Sequence, residues 1–195
     1  MATADDAISG IDLSDDRYTV VQSLIRNKYE ATDEAGNVVL RGKQKLLRMK
    51  EEFPFTDADG EPVFTVRAGS ILDVAGDYTL TDDETEEPVV VLDKKWTLFS
   101  DHWKVRDPDT EALLAEIKSK SKLVMFLKHV PYVGALFQLL PHKYEITDPD
   151  GGHVGSVDGR FSIRDRYDVE IDGAGDVPRE AVVAAAMVID AIEGN

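Results

Sequence analysis

The sequence contains no cysteine among its 195 residues, which excludes disulfide bonds, zinc–thiolate sites and cysteine nucleophiles. It also lacks a long uninterrupted hydrophobic run. The two most apolar stretches, 123–140 and 181–189, are either broken by polar residues or shorter than the ~20 residues that a membrane-spanning helix needs. No basic segment followed by an apolar one marks a secretory signal, so the sequence predicts a cytoplasmic protein without a transmembrane span.

Basic residues are scarce, with 22 Lys and Arg against 38 Asp and Glu, and the formal net charge is −16. Because a negative surface repels phosphates, we expect no nucleic-acid partner. Asp outnumbers Glu by 24 to 14, and Lys is modest at 12 residues. Such a surface retains water and hydrated cations and stays soluble at high salt. The composition therefore favours a halophilic source, such as a halophilic archaeon.

The length and the 43% of apolar residues suit one domain with a substantial core. Residues 1–16 carry acidic and small residues with little apolar periodicity. We therefore predict a mobile acidic tail over 1–16, followed by a single domain over 17–195.

A short pattern recurs along this domain: an aromatic residue, an apolar residue two positions later and Asp four positions after the aromatic. Alternation of this kind is typical of a β-strand, and Asp is typical of the turn after it, because its carboxylate accepts backbone N–H groups. The aromatic residues are 24, 25, 25, 41 and 23 residues apart. The copies begin at Tyr29, Phe53, Tyr78, Trp103 and Tyr144, and a less regular sixth copy begins at Tyr167.

Each repeat predicts a β-hairpin, and five hairpins with one further strand on either side give about twelve strands. Closing so long a sheet into a barrel removes its exposed edges, but leaves a lumen too wide for the strand side chains to fill. The segment from Val177 to Ile192 is almost wholly apolar and has Pro178 in its first turn, which predicts a buried helix of ~24 Å. The expected fold class is mainly β, a closed antiparallel barrel of about twelve strands enclosing a buried apolar C-terminal helix.

Repeated hairpins followed by such a helix resemble the LURP-one-related family, which shares a tubby-like fold with tubby C-terminal domains and phospholipid scramblases. The resemblance covers about 18–192 and is most specific from 167–171 to 184–192, where Asp190 is followed by Ala191. It implies no cofactor and no enzyme activity, because none is generally established for the family. Tubby relatives bind phosphoinositide head groups, and scramblase-like lipid handling is an alternative function that the resemblance implies.

One segment, 118–143, departs from the repeat by about 16 extra residues; its 26 positions hold five Lys, two His and no acid. Lysines beside aromatic and aliphatic residues suit an anionic membrane surface or a protein partner, whereas a simple cap on the barrel needs no ligand. We expect a binding or scaffold protein that uses this insertion as its contact surface, peripheral to the membrane if lipid is the partner. The candidate residues are Lys118, Lys120, Lys122, Phe126, Lys128, Tyr132 and Phe137.

Secondary candidates lie on a predicted strand, where alternation places Arg41, Lys43 and Lys45 on one face. Such a face suits an anion, or ion pairs with acids on neighbouring strands. We expect no metal site, because the turn carboxylates lack the further ligands of a calcium loop and the four histidines are scattered. Without a Gly-x-Ser-x-Gly elbow, an enzyme with a site at a barrel mouth is the weakest alternative. Asp190 should reach solvent or a strand backbone at the end of the helix.

Overall fold

The structure is a computed structural model that describes residues 8–23, 28–43, 45–47, 50–69, 77–95, 102–120, 143–160, 166–173 and 177–193. Within these residues lie thirteen β-strands and one α-helix. They are β1 (Arg17–Gln22), β2 (Lys28–Thr32), β3 (Val38–Lys43), β4 (Lys45–Leu47), β5 (Lys50–Thr56), β6 (Pro62–Ala68), β7 (Asp77–Asp82), β8 (Pro88–Lys95), β9 (His102–Arg106), β10 (Leu113–Ser119), β11 (Lys143–Thr147), β12 (His153–Arg160), β13 (Arg166–Ile171) and α1 (Arg179–Glu193).

All strand pairs are antiparallel, and the strands follow the order β3-β2-β1-β13-β12-β11-β10-β9-β8-β7-β6-β5-β4. The ring closes where β3 also pairs with β5, with Gly42 opposite Phe55. β4 pairs with the first half of β5, so the closed ring contains twelve strands and β4 extends its edge. The predicted closed twelve-stranded antiparallel barrel with one C-terminal helix is confirmed.

The repeat determines which side chains point into the barrel. Its six aromatic residues are all buried, as are the six apolar residues two positions later. Because successive side chains of a strand lie on opposite faces, both positions of each repeat face the lumen. The apolar set is Ala31, Phe55, Leu80, Val105, Ile146 and Val169.

The repeated Asp closes each hairpin turn with its side chain, as the sequence predicts. The Oδ1 atom of Asp57 accepts the backbone N–H groups of Asp59, Gly60 and Glu61 at 2.9, 2.8 and 2.9 Å. Comparable bonds to backbone N–H groups are made by Asp33, Asp82, Asp107 and Asp148.

Three of the five turns have glycine at the position of positive φ, whereas the other two have glutamate there. Gly36, Gly60 and Gly151 take positive φ values of 86°, 93° and 87°, which glycine adopts without steric cost. In the other two turns, Glu86 and Glu111 take φ values of 60° and 58°, in the left-handed region that is unfavourable for a residue with a Cβ atom. Acidic side chains therefore occupy strained backbone positions in these turns.

Helix α1 fills the barrel. From Ala181 to Ile189 every residue is buried, so the helix has no face toward solvent along this stretch. The wall approaches the helix closely at Gly42, where an added Cβ atom would lie 2.7 Å from Phe55 Cε1 and 3.2 Å from Met187 Sδ. The predicted buried helix is confirmed. It begins at Arg179 instead of Val177, because its first hydrogen bond runs from the N–H of Val182 to the carbonyl of Pro178, the residue just before the helix.

The segment 8–16, which the sequence assigns to a mobile tail, packs against the barrel in the structure. Ile8 and Leu13 belong to the core, with 4% and 3% of their surfaces exposed. The backbone N–H of Leu13 donates to Glu180 Oε1 at 3.0 Å, and that of Ser9 donates to Asp82 Oδ2 at 2.6 Å. Two apolar side chains and these bonds hold the segment over the mouth where α1 begins, which corrects the prediction for residues 8–16.

Candidate functional site

The two mouths of the barrel differ in charge because the five Asp-containing turns of the repeat lie at one of them. We define the acidic mouth as the turns 33–37, 57–61, 82–87, 107–112 and 148–152. These turns contain two, three, five, three and two acidic residues, fifteen in all, and no Lys or Arg. The net charge of −16 is thus almost entirely a property of one end of the molecule.

Hydrogen bonds within these turns favour the ionised form of two of the repeated Asp side chains. The Asn37 side chain, as the main contributor, lowers the pKa of Asp33, and the Thr110 hydroxyl does the same for the pKa of Asp107. The repeated Asp therefore takes part in turn formation, and these two carboxylates remain ionised at lower pH than an ordinary Asp.

The insertion 118–143 leaves and re-enters the barrel at the opposite mouth. The backbone N–H of Lys120 donates to the carbonyl of Lys143 at 2.7 Å, and Lys118 lies opposite Glu145 in the β10–β11 register. The chain therefore departs and returns at adjacent points, and the 22 residues between them are attached through a single narrow root.

The described lysines of this root are exposed but have acidic neighbours. Lys118 contacts Glu116, Lys120 Nζ lies 3.9 Å from Glu145 Oε1, and Lys143 Nζ lies 3.4 Å from Asp158 Oδ1. Such pairs at half-exposed side chains contribute little to stability and can exchange for another anion. The other candidates of the insertion, Lys122, Phe126, Lys128, Tyr132 and Phe137, lie outside the described residues.

Beside this root, two strands carry a compact cluster of charges. His102 Nε2 and Lys104 Nζ lie 3.4 and 3.6 Å from Glu116 Oε1. Burial lowers the pKa of His102 although Glu116 opposes that shift, and the bond from Lys118 lowers the pKa of Glu116. The cluster is a carboxylate held ionised by lysines beside a neutral imidazole, and within the described residues no group of three or more His, Asp and Glu could hold a metal ion.

Among the secondary candidates, Arg41 makes the strand-face ion pair that the sequence left open as one alternative. Arg41 Nε lies 3.3 Å from Glu30 Oε1, and the Arg41 guanidinium also donates to the carbonyl groups of Asp57 and Ala58. Lys43 is exposed at the end of β3, and the backbone of Lys45 lies in β4. Arg41 is therefore used to tie β3 to the neighbouring turn, whereas Lys43 faces solvent.

An open cleft of about 700 Å³ runs over the outer face of the barrel across β11, β12, β13 and β1. Its wall includes Arg17, which lies 2.8 Å from Glu170, and Arg160, which contacts Asp168. Because cations and acids alternate along it, the cleft is nearly neutral and offers no single-sign ligand site. Its residues come from strands distant in the chain, so no local sequence pattern marks the cleft.

Asp190 lies near the end of α1, as expected, and it has two hydrogen-bond donors that the sequence did not predict. Its carboxylate accepts the hydroxyl of Tyr29 at 2.9 Å and that of Tyr167, and Gln22 Nε2 donates to Tyr29 Oη at 2.8 Å. These contacts form because the repeat places two tyrosines at the same level as the end of α1. This polar cluster closes the lumen at the mouth that carries the insertion.

Comparison with known proteins assigns the family. The family model described as LURP-one-related matches residues 38–190, most of the chain. The chain belongs to the LURP-one-related family. No curated protein matches the sequence.

A solved structure has the same fold. The crystal structure of a protein from Arabidopsis thaliana superposes with a TM-score of 0.55 over 91% of each chain, at 10% sequence identity. At that identity, the likeness establishes the fold and carries no ligand or activity. The helix in the described part of this LURP-one-related protein is too short or too polar to cross a bilayer.

Proposed function

We propose that this LURP-one-related protein is a non-enzymatic binding or scaffold protein that makes contact through the insertion 118–143. The observation that carries the proposal is the burial of α1 on all sides from Ala181 to Ile189. Since the protein's own helix occupies the lumen, a ligand or partner would bind on the outside of the barrel. In the sequence, the insertion is the largest departure from the hairpin repeat, and its described ends meet at one mouth of the barrel.

The root of the insertion supports this role. Lys118, Lys120 and Lys143 are exposed there, and the segment 121–142 continues with apolar and aromatic residues and no acid. A basic and apolar segment attached at one point suits an anionic membrane surface or an acidic protein surface, since lysines provide attraction and apolar side chains provide buried area. The location that we propose is the cytoplasm, peripheral to the membrane when lipid is the partner.

Flotation with anionic and with neutral vesicles tests the proposal. The triple variant Lys118→Gln, Lys120→Gln and Lys122→Gln should bind anionic vesicles more weakly than the wild type. A control of equal net charge carries Ala35→Glu, Ala58→Glu and Ala112→Glu, three exposed positions of the acidic mouth. Equal flotation of the two variants would contradict a contact role for the insertion.

Scramblase-like activity and a halophilic source are two further predictions from the sequence. Scramblase-like lipid handling, which rests on the resemblance of the family to tubby-like proteins, would require lipid transfer between leaflets in reconstituted vesicles. A halophilic source would give a melting temperature that rises with KCl, because salt screens the repulsion among the fifteen acids of the acidic mouth.

A further inference from the structure

The charge of this protein is separated along the barrel axis. The acidic mouth holds fifteen acids, which leaves 23 acids and 22 bases, nearly balanced, for the whole remainder of the chain. Apart from β4, strands of five to eight residues separate the two mouths by ~20 Å. At ~0.1 M salt the Debye length is ~10 Å, so a partner at the opposite mouth is largely shielded from the acidic one.

The opposite mouth is lined by cations from many strands. Apart from β4 and β5, the two terminal residues of each strand at this mouth include nine Lys and Arg and one acid, Asp77. We call these nine residues the basic rim. They are Lys28, Lys43, Arg67, Lys94, Lys95, Lys118, Lys143, Arg160 and Arg166.

The register places like charges directly opposite one another in the basic rim. Lys28 is the cross-strand partner of Lys43, and Arg160 is the partner of Arg166. Directly opposed like charges reduce sheet stability. The repulsion between Arg160 and Arg166 is only partly offset by an acid, since the single carboxylate of Asp168 faces both guanidinium groups. An anionic partner would remove a repulsion that the fold maintains.

The rim extends far beyond the root of the insertion. Along the ring, β2 lies four strand spacings from β11, ~19 Å away. A planar partner can touch both sides of such a ring at once, whereas a small ligand cannot. The sequence between Lys120 and Lys143 contains five Leu, two Phe and one Tyr, which suits lipid better than nucleic acid.

We propose that the basic rim as a whole docks the barrel on an anionic lipid surface, with the acidic mouth turned toward the water. This inference rests on the proposed function and names its partner as lipid. The rim supplies short-range attraction to phosphate groups, and the acidic mouth disfavours the inverted orientation by repulsion.

The deciding experiment uses rim positions remote from the insertion. Lys28→Gln with Lys43→Gln should weaken partitioning to vesicles of phosphatidylglycerol and phosphatidylcholine about thirtyfold, equivalent to ~2 kcal/mol at ~1 kcal/mol per cation near the surface. The control, Ala35→Glu with Ala58→Glu, has the same net charge and should partition like the wild type. Partitioning of the wild type to these vesicles should also be weaker at ~1 M salt, where the Debye length is only ~3 Å.

Each other outcome overturns the inference. Equal weakening of both variants would show that only net charge matters, and no weakening would leave the rim without a role. Wild-type protein that fails to bind anionic vesicles, or that instead binds a 20-nucleotide RNA through Lys28 and Lys43, would also contradict it. If the insertion variant alone loses binding, the proposed function stands and the rim inference fails.

Discussion

The hydroxyl of Tyr167 donates a hydrogen bond to Asp190 Oδ1 and so ties the last strand of the barrel to the end of its helix. Tyr29 donates to the other oxygen of the same carboxylate. Each tyrosine is the aromatic residue of a sequence repeat, and Asp190 is the polar residue in an otherwise apolar stretch. Barrel wall and central helix are therefore joined by polar contacts as well as by packing.

The first prediction concerns this link. Tyr167→Phe should lower stability by about 1–3 kcal/mol, because a carboxylate next to the lumen loses a donor that water does not readily replace. The same substitution in an Asp190→Ala background should cost much less. Urea unfolding of the four proteins of this cycle measures the coupling. Additive effects would show that the hydroxyl and the carboxylate do not support one another.

The filled lumen gives a second prediction. Ala185, 1% exposed, lies in the middle of α1. Ala185→Asp should destabilise the protein by about 3 kcal/mol or more, because an unpaired charge would be buried in the lumen. Ala112→Asp makes the same chemical change at an exposed turn and should stay within about 0.5 kcal/mol of the wild type. Thermal unfolding distinguishes them, and an unchanged melting temperature in Ala185→Asp would rule out a buried helix.

A third prediction follows from the left-handed backbone at Glu86. Glu86→Gly should stabilise the protein by about 0.5–1 kcal/mol, since glycine adopts a φ of 60° without steric cost and one charge leaves a crowded turn. Glu84→Gly removes the same charge in the same turn, where the backbone is not left-handed, and should not stabilise to the same extent. Equal melting temperatures for the two variants would assign the effect to charge alone.

The fourth prediction is a pH dependence at the acidic mouth. Burial raises the pKa of Glu180, so its contribution to stability is present below the pKa of the unfolded chain and is lost as the pH rises through the folded value. Glu180→Gln keeps an oxygen that can accept the Leu13 N–H and cannot ionise. The variant should melt higher than the wild type at pH 8 and nearly equally at pH 4. A difference that does not change with pH would contradict this assignment.

The repeat was readable from the sequence because each of its positions has a local cause. The period-two alternation around Tyr78 fixes which side chains face inward, and Asp57 bonds to the N–H groups two to four residues ahead. The C-terminal helix was readable for the same reason, since a helix without a polar face must be buried. These features depend on residues that are close together in the chain.

What the sequence determined by itself was the number and direction of the hairpins, the chemistry of their turns and the burial of the helix. Only the tertiary structure decided that Ile8 and Leu13 join the core, that Asp190 bonds two tyrosines, and that Lys28 meets Lys43. The physical reason is that the register of a closed ring and the fit of its helix bring together side chains that are distant in the chain, such as those of Tyr29 and Asp190, which are 161 positions apart. The same ring places fifteen of the acids at one mouth and the nine Lys and Arg of the basic rim at the other.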